Sequence, residues 1–433
     1  MALQRPHIGP VPVRGGVAGR PPRAPSFNRS GEIGLIHRLI LGAVWITFAM
    51  SGVVFSEPAP VDVLMMGLIV LLPSAGLLAS SPRLAVYLSL WGLAAAAGLL
   101  ASTMSEDLRA STVFTLVTIY LYVASFTIAA FVAHTPERHT RLILSAWLVA
   151  GLVSAAAGLA GYFSIFPGAF DLFTRFGRAT GTFKDPNVMG AFLVAPFLFA
   201  LHLILHSRAG SPWWRNGLAM FAAGVLALAV LLSFSRGAWL NLAAGVFIYA
   251  TLAYLTAATV REREQIAIAV IGGVAIVALV TMAVMQDDGI ASVLADRAQF
   301  TQSYDVGPAG RFGGQQKAFD LLLQHPFGIG AGQFVQHHHH EDVHNVYLSV
   351  FLNTGWLGGF TFAAMVVVTI GVGVISLAGG SATRPYMLVA LSAFAATAAE
   401  GVVIDIDHWR SFYFLMALIW GLAAEPACKR VQG

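Results

Sequence analysis

The chain has 433 residues, of which 57% are hydrophobic and only 11% are charged. This small number of polar side chains cannot cover the surface of a water-soluble protein of this length. The composition therefore excludes a soluble globular protein and indicates a membrane protein. The formal net charge is +4 at pH 7, and the single cysteine, Cys428, excludes a disulfide within the chain.

The first 38 residues form a basic tail that is rich in proline and glycine. Its arginines are Arg5, Arg14, Arg20, Arg23, Arg29 and Arg38. Such a mixture cannot bury a core, so we predict a disordered cytoplasmic tail, whose arginines have an alternative role in holding anionic lipid. A cleavable signal peptide is not expected, because the tail is long and no small-residue cleavage site closes a short apolar run.

Apolar runs of roughly 20 residues, the length that crosses a bilayer as a helix, recur through the rest of the chain. We predict an all-α polytopic membrane protein with about twelve transmembrane helices. The spans are placed near 39–55, 61–79, 84–101, 111–133, 142–166, 187–206, 216–234, 237–257, 265–285, 344–375, 386–403 and 409–424. They form one bundle over 39–425, with the segment 286–343 inserted and a short C-terminal tail at 426–433. An even number of spans puts both termini in the cytoplasm.

The distribution of charge agrees with this alternation, because lysine and arginine concentrate in cytoplasmic loops. Most of the 25 basic residues lie in the N-terminal tail, in alternate loops and in the C-terminal tail, whereas most of the 21 acidic residues lie on or near the other side. The excess of positive charge therefore belongs to the predicted cytoplasmic face.

Three segments hold nearly all the basic residues of the predicted outer side: 171–187, the turn SFSRGAW, and 286–343. These residues are Arg175, Arg178 and Lys184 in the first, Arg236 in the second, and Arg297, Arg311 and Lys317 in the third. A lone arginine at a span end is most often a snorkelling anchor. Gathered guanidinium groups suit a diphosphate, because their planar fork matches phosphate oxygens and their charge is permanent. Arg236 is the strongest candidate, since a short turn restricts its side chain.

Apolar residues at helical spacing predict a short helix over 312–324 within the third segment. Phe312, Phe319, Leu322 and Leu323 lie on roughly one side of it, so we expect the helix to lie on the membrane surface or over the bundle. The pair His325-Pro326 ends it.

The histidines of this segment divide into a run and a single residue. The run His337–His340 is similar to a metal-binding tract, but its side chains point in different directions and one tetrahedral ion cannot take them all, so no metal is expected. His344 stands apart, next to Asn345 at the start of a span. It is the best proton acceptor of the outer half, although a helix cap is an alternative that the residues leave open. The string GIGAG at 328–332 lacks the strand-to-helix context of a nucleotide loop and is interpreted as a turn.

Four blocks in order resemble the bacterial O-antigen ligase and polymerase superfamily. They read RATGTFKDPNVMGAFL, SFSRGAWLNL, GRFGGQQKAFDLLLQHPFGIGAGQF and HNVYLSVFLNTGWLGG, and they cover about residues 170–375. The resemblance implies a GT-C-like bundle with a long periplasmic loop that carries short helices. It also implies a metal-independent glycosyltransferase of the bacterial inner membrane, with neither cofactor nor nucleic acid. Its implied partners are a glycan on undecaprenyl diphosphate and an acceptor sugar on the periplasmic side.

The matching motifs imply that Arg236 and Arg311 bind the diphosphate and that His344 is the base. The His337–His340 run is not part of the family pattern. Elementary chemistry supports the same roles, because a lipid diphosphate is already a good leaving group that needs its charge stabilised more than it needs an acid. Attack from the opposite face predicts inversion at the anomeric carbon. We add Arg178 and Lys184 as binding residues for further phosphate or acceptor groups, and Asn345 and Tyr347 as residues that orient the loop beside the substrates.

The acceptor stays open between two members of one superfamily. A ligase transfers the glycan to the lipid A core, whereas a polymerase transfers it to another lipid-linked repeat unit. A lipid-linked oligosaccharide transporter is an alternative from another class, since it would also have about twelve spans. That class predicts ionisable residues near the middle of spans, whereas here they gather at the outer ends.

Overall fold

The computed structural model describes residues 29–206, 212–284, 306–380 and 382–424, together with residues 286 and 292. Its α-helices are α1 (Arg29–Ala49), α2 (Pro60–Ser74), α3 (Pro82–Ser102), α4 (Leu108–His134), α5 (Pro136–Tyr162), α6 (Ala169–Phe173), α7 (Pro186–Phe192), α8 (Val194–Leu205), α9 (Trp213–Leu232), α10 (Arg236–Thr256), α11 (Val260–Val284), α12 (Arg311–Gln324), α13 (Gln333–His337), α14 (Val346–Ala378), α15 (Arg384–Glu400) and α16 (Arg410–Ala423). A short hairpin pairs β1 (Thr174–Arg175) antiparallel with β2 (Arg178–Ala179).

The prediction of an all-α polytopic membrane protein is confirmed. Among the described residues, eight helices are long and apolar enough to cross a membrane, and α2 and α16 are shorter apolar helices. The count of twelve spans stays a prediction. Helix α1 begins at Arg29, about ten residues before the predicted first span, and residues 1–28 of the predicted disordered tail lie outside the described residues.

Two predicted spans are interrupted. The span at 187–206 is the pair α7 and α8, which meet at Leu193. Pro196 explains the break, because it has no N–H to donate to the carbonyl of Phe192 and its ring crowds that carbonyl. The span at 344–375 is α14, which bends at Gly355, where φ is 71° and ψ is −177°. Each break falls near a loop that was predicted to lie outside.

Helix α16 forms the centre of the unit that begins at Ile40. Every side chain from Phe412 to Ala423 is buried, as expected for a helix that is apolar on all sides. It packs on α4, α14 and α15. The indole N–H of Trp420 donates to Thr369 Oγ1 at 2.9 Å, which satisfies a polar group within this apolar core.

Contacts between distant loops of the described residues group several of them together. At one end, the N–H of Val54 donates to the carbonyl of Thr182 at 2.8 Å, and the N–H of Ala331 donates to Ser111 Oγ at 3.0 Å. Thr182 and Ala331 belong to segments that were predicted to lie outside, and Val54 and Ser111 lie at the predicted outer ends of their spans. This end also carries the candidate site.

At the other end of the bundle, the end of α10 contacts the start of α15. Arg384 Nε donates to Thr256 Oγ1 at 2.9 Å, and Arg384 Nη2 lies 3.1 Å from Glu262 Oε1. These three residues were predicted to lie at or near the cytoplasmic face. The contacts therefore support the pairing of loops into two groups, while the compartment that each group faces stays a prediction.

Candidate active site

A short turn between α9 and α10 presents Arg236. Ser235 caps α10 by accepting the N–H of Ala238 at 3.2 Å. Phe234 is buried in a left-handed conformation with φ of 46°. A residue other than glycine keeps this strained conformation only where the surrounding packing holds it in place. Arg236 is the first residue of α10, so its charge adds to the positive end of a helix dipole, and the two together favour an anion.

Arg178 ties this turn to the neighbouring hairpin. Its Nε donates to the carbonyl of Ser233 at 2.8 Å, and its Nη2 donates to Asn187 Oδ1 at 2.8 Å. Ser233 is fully buried, so its carbonyl needs a partner within the protein. The structure thus brings two predicted site residues, Arg178 and Arg236, into one unit, with Arg178 supporting the turn from behind.

Lys184 lies at the rim of this unit. Its Nζ is 3.8 Å from Glu57 Oε2, and its side chain is 44% exposed. The carbonyl of Lys184 accepts Arg175 Nη1 at 3.0 Å. Exposed ion pairs contribute only about 0–1 kcal/mol, so the contact with Glu57 opens at little cost.

A buried carboxylate, Glu400, lies behind the turn and was missed by the sequence analysis. A Cβ added to Gly237 would lie 2.6 Å from Glu400 Oε1, so the last turn of α15 touches the residue after Arg236. Glu400 Oε2 accepts Asn241 Nδ2 at 2.6 Å. Glu400 falls inside a predicted apolar span, and a charged residue there was the available signal.

The end of α15 also holds the segment that carries His344. The N–H of Val346 donates to the carbonyl of Gly401 at 2.8 Å, and the Tyr347 hydroxyl donates to the carbonyl of Ala398 at 2.8 Å. The segment of His344 and the turn of Arg236 therefore abut the same helix end. Tyr347 contributes to the site by joining α14 to α15.

His344 itself has an unusual backbone conformation, with φ of 52°. Its N–H donates to Asp405 Oδ2 at 2.8 Å. Asn345, and not His344, is the N-cap of α14, because the Asn345 side chain accepts the N–H groups of Tyr347 and Leu348 at 3.1 and 3.2 Å. The alternative interpretation of His344 as a helix cap was therefore wrong, and its imidazole lies just outside the helix.

Asp405 is a second carboxylate that the sequence analysis missed. It lies in the loop between α15 and α16, where burial and then the carboxylate of Asp407 raise its pKa to about 7. Hydrogen bonds from the backbone of His344 and Asn345 act in the opposite direction. Burial likewise raises the pKa of Asp407 to about 6.

The environment of the His344 imidazole favours its neutral form. Burial, and then the nearby charge of Arg311, lower its pKa below the ordinary value, while Glu341 opposes the shift. Its Nε2 lies 3.7 Å from Glu341 Oε2. Gln315 of α12 donates to the carbonyl of His344 at 3.1 Å, so α12 places Arg311, its first residue, beside the histidine. The neutral imidazole has a lone pair that can accept a proton, while the charge of Arg311 opposes the protonated form and that of Glu341 favours it.

The run His337–His340 makes separate contacts. His337 Nε2 lies 3.5 Å from Glu106 Oε2, and His340 Nε2 lies 3.8 Å from Glu341 Oε1. Within the part of the chain that the structure describes, no group of three or more His, Cys, Asp or Glu side chains is placed to hold a metal ion.

A further ion pair at this end of the bundle is structural. Arg410 Nε and Nη2 each lie 2.6 Å from one carboxylate oxygen of Asp62, a bidentate pair that joins α16 to α2. The Tyr120 hydroxyl also donates to Asp62 Oδ1 at 3.2 Å. The charges of Arg410 and Asp62 are therefore satisfied by each other.

Residues 218–363 match the family model described as O-Antigen ligase. This stretch belongs to the O-antigen ligase superfamily. It contains three of the four motif blocks and five of the predicted site residues, which are Arg236, Arg311, His344, Asn345 and Tyr347. The O-antigen ligase family consists of membrane glycosyltransferases of the ligase and polymerase type. No curated protein matches the chain.

Arg178, Lys184, Glu400 and Asp405 lie outside the matched stretch. Arg178, Glu400 and Asp405 contact Ser233, Asn241 and His344 inside it. The partners of Lys184, which are Glu57 and Arg175, lie outside it. The O-antigen ligase stretch is therefore completed by the hairpin that precedes it and by α15 and the loop that follow it.

Proposed function

We propose that this protein is an O-antigen ligase-type glycosyltransferase of the bacterial inner membrane. It would transfer a glycan from undecaprenyl diphosphate to an acceptor sugar of the lipid A core, at the periplasmic face. The family match over 218–363 supports the class of enzyme, and the site geometry supports the chemistry.

The observation that carries the proposal is a series of contacts that links the segments of two cations and a base: α15 contacts the segments of Arg236 and His344, and α12 places Arg311 beside His344. Arg236 begins α10, Arg311 begins α12, and His344 precedes α14. The end of α15 contacts the turn of Arg236 through Glu400 and the segment of His344 through Gly401. These contacts support the grouping of residues that lie far apart in the chain into one proposed site.

Each of these groups has a distinct part in the proposed reaction. The acceptor hydroxyl oxygen attacks the anomeric carbon, its proton passes to the neutral imidazole of His344, and the bond from that carbon to the diphosphate oxygen breaks. The electron pair leaves with the diphosphate, whose growing charge Arg236 and Arg311 stabilise. Attack opposite the leaving group inverts the anomeric centre. Two permanent cations supply the electrostatic stabilisation, so the proposed mechanism requires no metal ion.

The acceptor separates ligase from polymerase. Both reactions use the same donor chemistry, so the glycan profile of a deletion strain is the test. We expect the strain to accumulate full-length glycan on undecaprenyl diphosphate and to make lipopolysaccharide without O-antigen. Accumulation of single repeat units would instead identify a polymerase. A deletion strain with the same lipid-linked glycans and the same lipopolysaccharide as the wild type would contradict the proposed class of enzyme.

The transporter alternative requires a different arrangement of charge. A transporter would carry ionisable residues along a path through the bundle. Here Arg178, Arg236, Arg311 and His344 gather at one end. We therefore favour transfer at a fixed site, and a purified, reconstituted protein that moves lipid-linked glycan across the bilayer without forming a glycosidic bond would reverse this preference.

A further inference from the structure

Helix α12 has three different faces. Gly314, Ala318 and Leu322 are buried on the face that packs on α13 and the start of α14, where a small hydrophobic cluster lies apart from the main core. Lys317, Asp320 and Gln324 form an exposed polar face. At 3.6 residues per turn, Phe312, Phe319 and Leu323 fall between these two faces. These three side chains are 47% to 56% exposed.

This arrangement corrects one detail of the sequence analysis. Leu322 was grouped with Phe312, Phe319 and Leu323, but it points into the protein, whereas the other three point away from it. Phe327, in the turn after the helix, is 60% exposed. Large apolar side chains that are exposed together indicate a contact surface.

The last turn of α12 is tied to Trp356. The indole N–H of Trp356 donates to the carbonyl of Leu322 at 2.8 Å, and its backbone N–H donates to the carbonyl of Pro326 at 2.9 Å. Trp356 is the residue after the bend at Gly355. From Trp356 to Ala378, helix α14 covers about 35 Å at 1.5 Å per residue. That is close to the roughly 30 Å of a hydrocarbon core.

Trp356 therefore marks the membrane boundary, where tryptophan is favoured. Below it, Phe360, Val367 and Val374 lie on one face of α14 and are exposed, as expected of a lipid-facing stripe. The hydrogen bonds to Trp356 place the end of α12 at this level, and the apolar face of α12 is exposed. Its polar face lies on the other side of the helix, as in a helix at a lipid–water boundary.

We propose that α12 is an interfacial helix whose Phe312, Phe319 and Leu323 contact the lipid of the leaflet on the same side as the candidate site. This contact, together with Trp356, sets the depth of α12 and hence of Arg311 at its start. The inference depends on the membrane bundle and on the faces of α12, and it holds whatever reaction the protein catalyses.

The test uses single cysteines in a Cys428→Ser background, because Cys428 is the only native cysteine. Phe319→Cys and Leu323→Cys carry an environment-sensitive fluorophore in nanodiscs of phosphatidylcholine and phosphatidylglycerol. Asp320→Cys and Gln324→Cys are matched controls, one residue further along and on the polar face. Phe360→Cys is the lipid-facing reference. Each variant is checked for monodisperse elution, and Phe312→Cys replaces one that does not fold.

Nitroxide-labelled phosphatidylcholine should quench the probes at 319 and 323 to the same extent as the probe at 360, with little quenching by aqueous iodide. The probes at 320 and 324 should give the reverse. Equal lipid quenching on both faces would overturn the proposal. So would probes at 319 and 323 that neither quencher reaches, because a second copy or another segment of the chain would then cover this face.

Discussion

The carboxylate of Asp405 accepts the backbone N–H of His344 at 2.8 Å, and it holds that residue in a left-handed conformation. Such a conformation costs on the order of 1–3 kcal/mol in a residue other than glycine. Asp405 thus offsets strain at the residue that we propose as the base, while its own charge is poorly solvated.

The buried position of Asp405 predicts a pH-dependent stability. Its folded-state pKa of about 7 lies above the ordinary 3.8, so the folded protein holds a proton that the unfolded chain releases between those values. The free energy of unfolding should therefore fall as the pH rises from about 4 to about 7. Asp405→Asn removes this dependence, so it should stabilise the protein more at pH 8 than at pH 5, measured by thermal unfolding in nanodiscs.

Asp320→Asn is the control for Asp405→Asn, because Asp320 is exposed on α12. It should change the unfolding temperature equally at both pH values. If Asp405→Asn did the same, the carboxylate of Asp405 would not titrate in this range.

The sequence predicted those parts of the fold that depend on local pattern. Apolar runs locate the helices, and the short turn at Arg236 follows from two runs that nearly touch. Glu400 and Asp405 were missed, because a single acidic residue within or beside an apolar run looks like an isolated exception. Their roles come from contacts with Gly237 and His344, which are distant in the chain and which no periodicity encodes.

The orientation of His344 was likewise beyond local pattern. The motif places a histidine before Asn345 but does not reveal which of the two residues caps α14. Asn345 takes the cap because its side-chain oxygen reaches two backbone N–H groups, which leaves the imidazole to lie beside α12. The break of the sixth predicted span at Leu193 was open to prediction from Pro196, which follows three residues later.

Arg178 is expected to act through the turn of Arg236. Arg178→Ala would leave the buried carbonyl of Ser233 without this donor, at a cost of about 1–3 kcal/mol. The unfolding temperature and donor binding should therefore fall together. Arg175→Ala is the control, because Arg175 bonds the carbonyl of Lys184 at the exposed rim, and it should change stability by about 0.5 kcal/mol or less. Donor binding lost at an unchanged unfolding temperature would show that Arg178 contacts the donor instead.

The histidine run is expected to be dispensable. Since His337 and His340 contact different acidic residues, replacing all four of His337–His340 with serine should leave turnover within a few-fold of the wild type. The purified enzyme should also keep its activity in a chelator. Activity that is lost in the chelator and restored by zinc would contradict the metal-free mechanism.

The side of the membrane that carries the site is a separate prediction. Glu106 and Arg263 are exposed at the two ends of the bundle, so each can carry a single cysteine in the Cys428→Ser background. A membrane-impermeant maleimide should label Glu106→Cys in intact spheroplasts and should label Arg263→Cys only after the membrane is opened. The reverse pattern would place Arg236 and His344 in the cytoplasm and exclude a periplasmic transfer reaction.

The proposed base and the proposed phosphate ligand predict different kinetic losses. His344→Asn tests the base more cleanly than an alanine, because asparagine tolerates the left-handed backbone that His344 adopts. It should keep donor binding and lower turnover by about 10² to 10⁴, the usual contribution of a general base. Arg236→Lys keeps the charge but loses the planar fork, so binding and transfer should fall together.

Both variants are compared by donor binding and by turnover in a reconstituted assay. His340→Asn is the matched control, since His340 lies in the same loop with a largely exposed side chain. It should bind donor and transfer glycan like the wild type. Near wild-type transfer by His344→Asn would mean that the proton passes to another group. In that case Glu341, whose carboxylate lies 3.7 Å from the imidazole, is the next residue to replace.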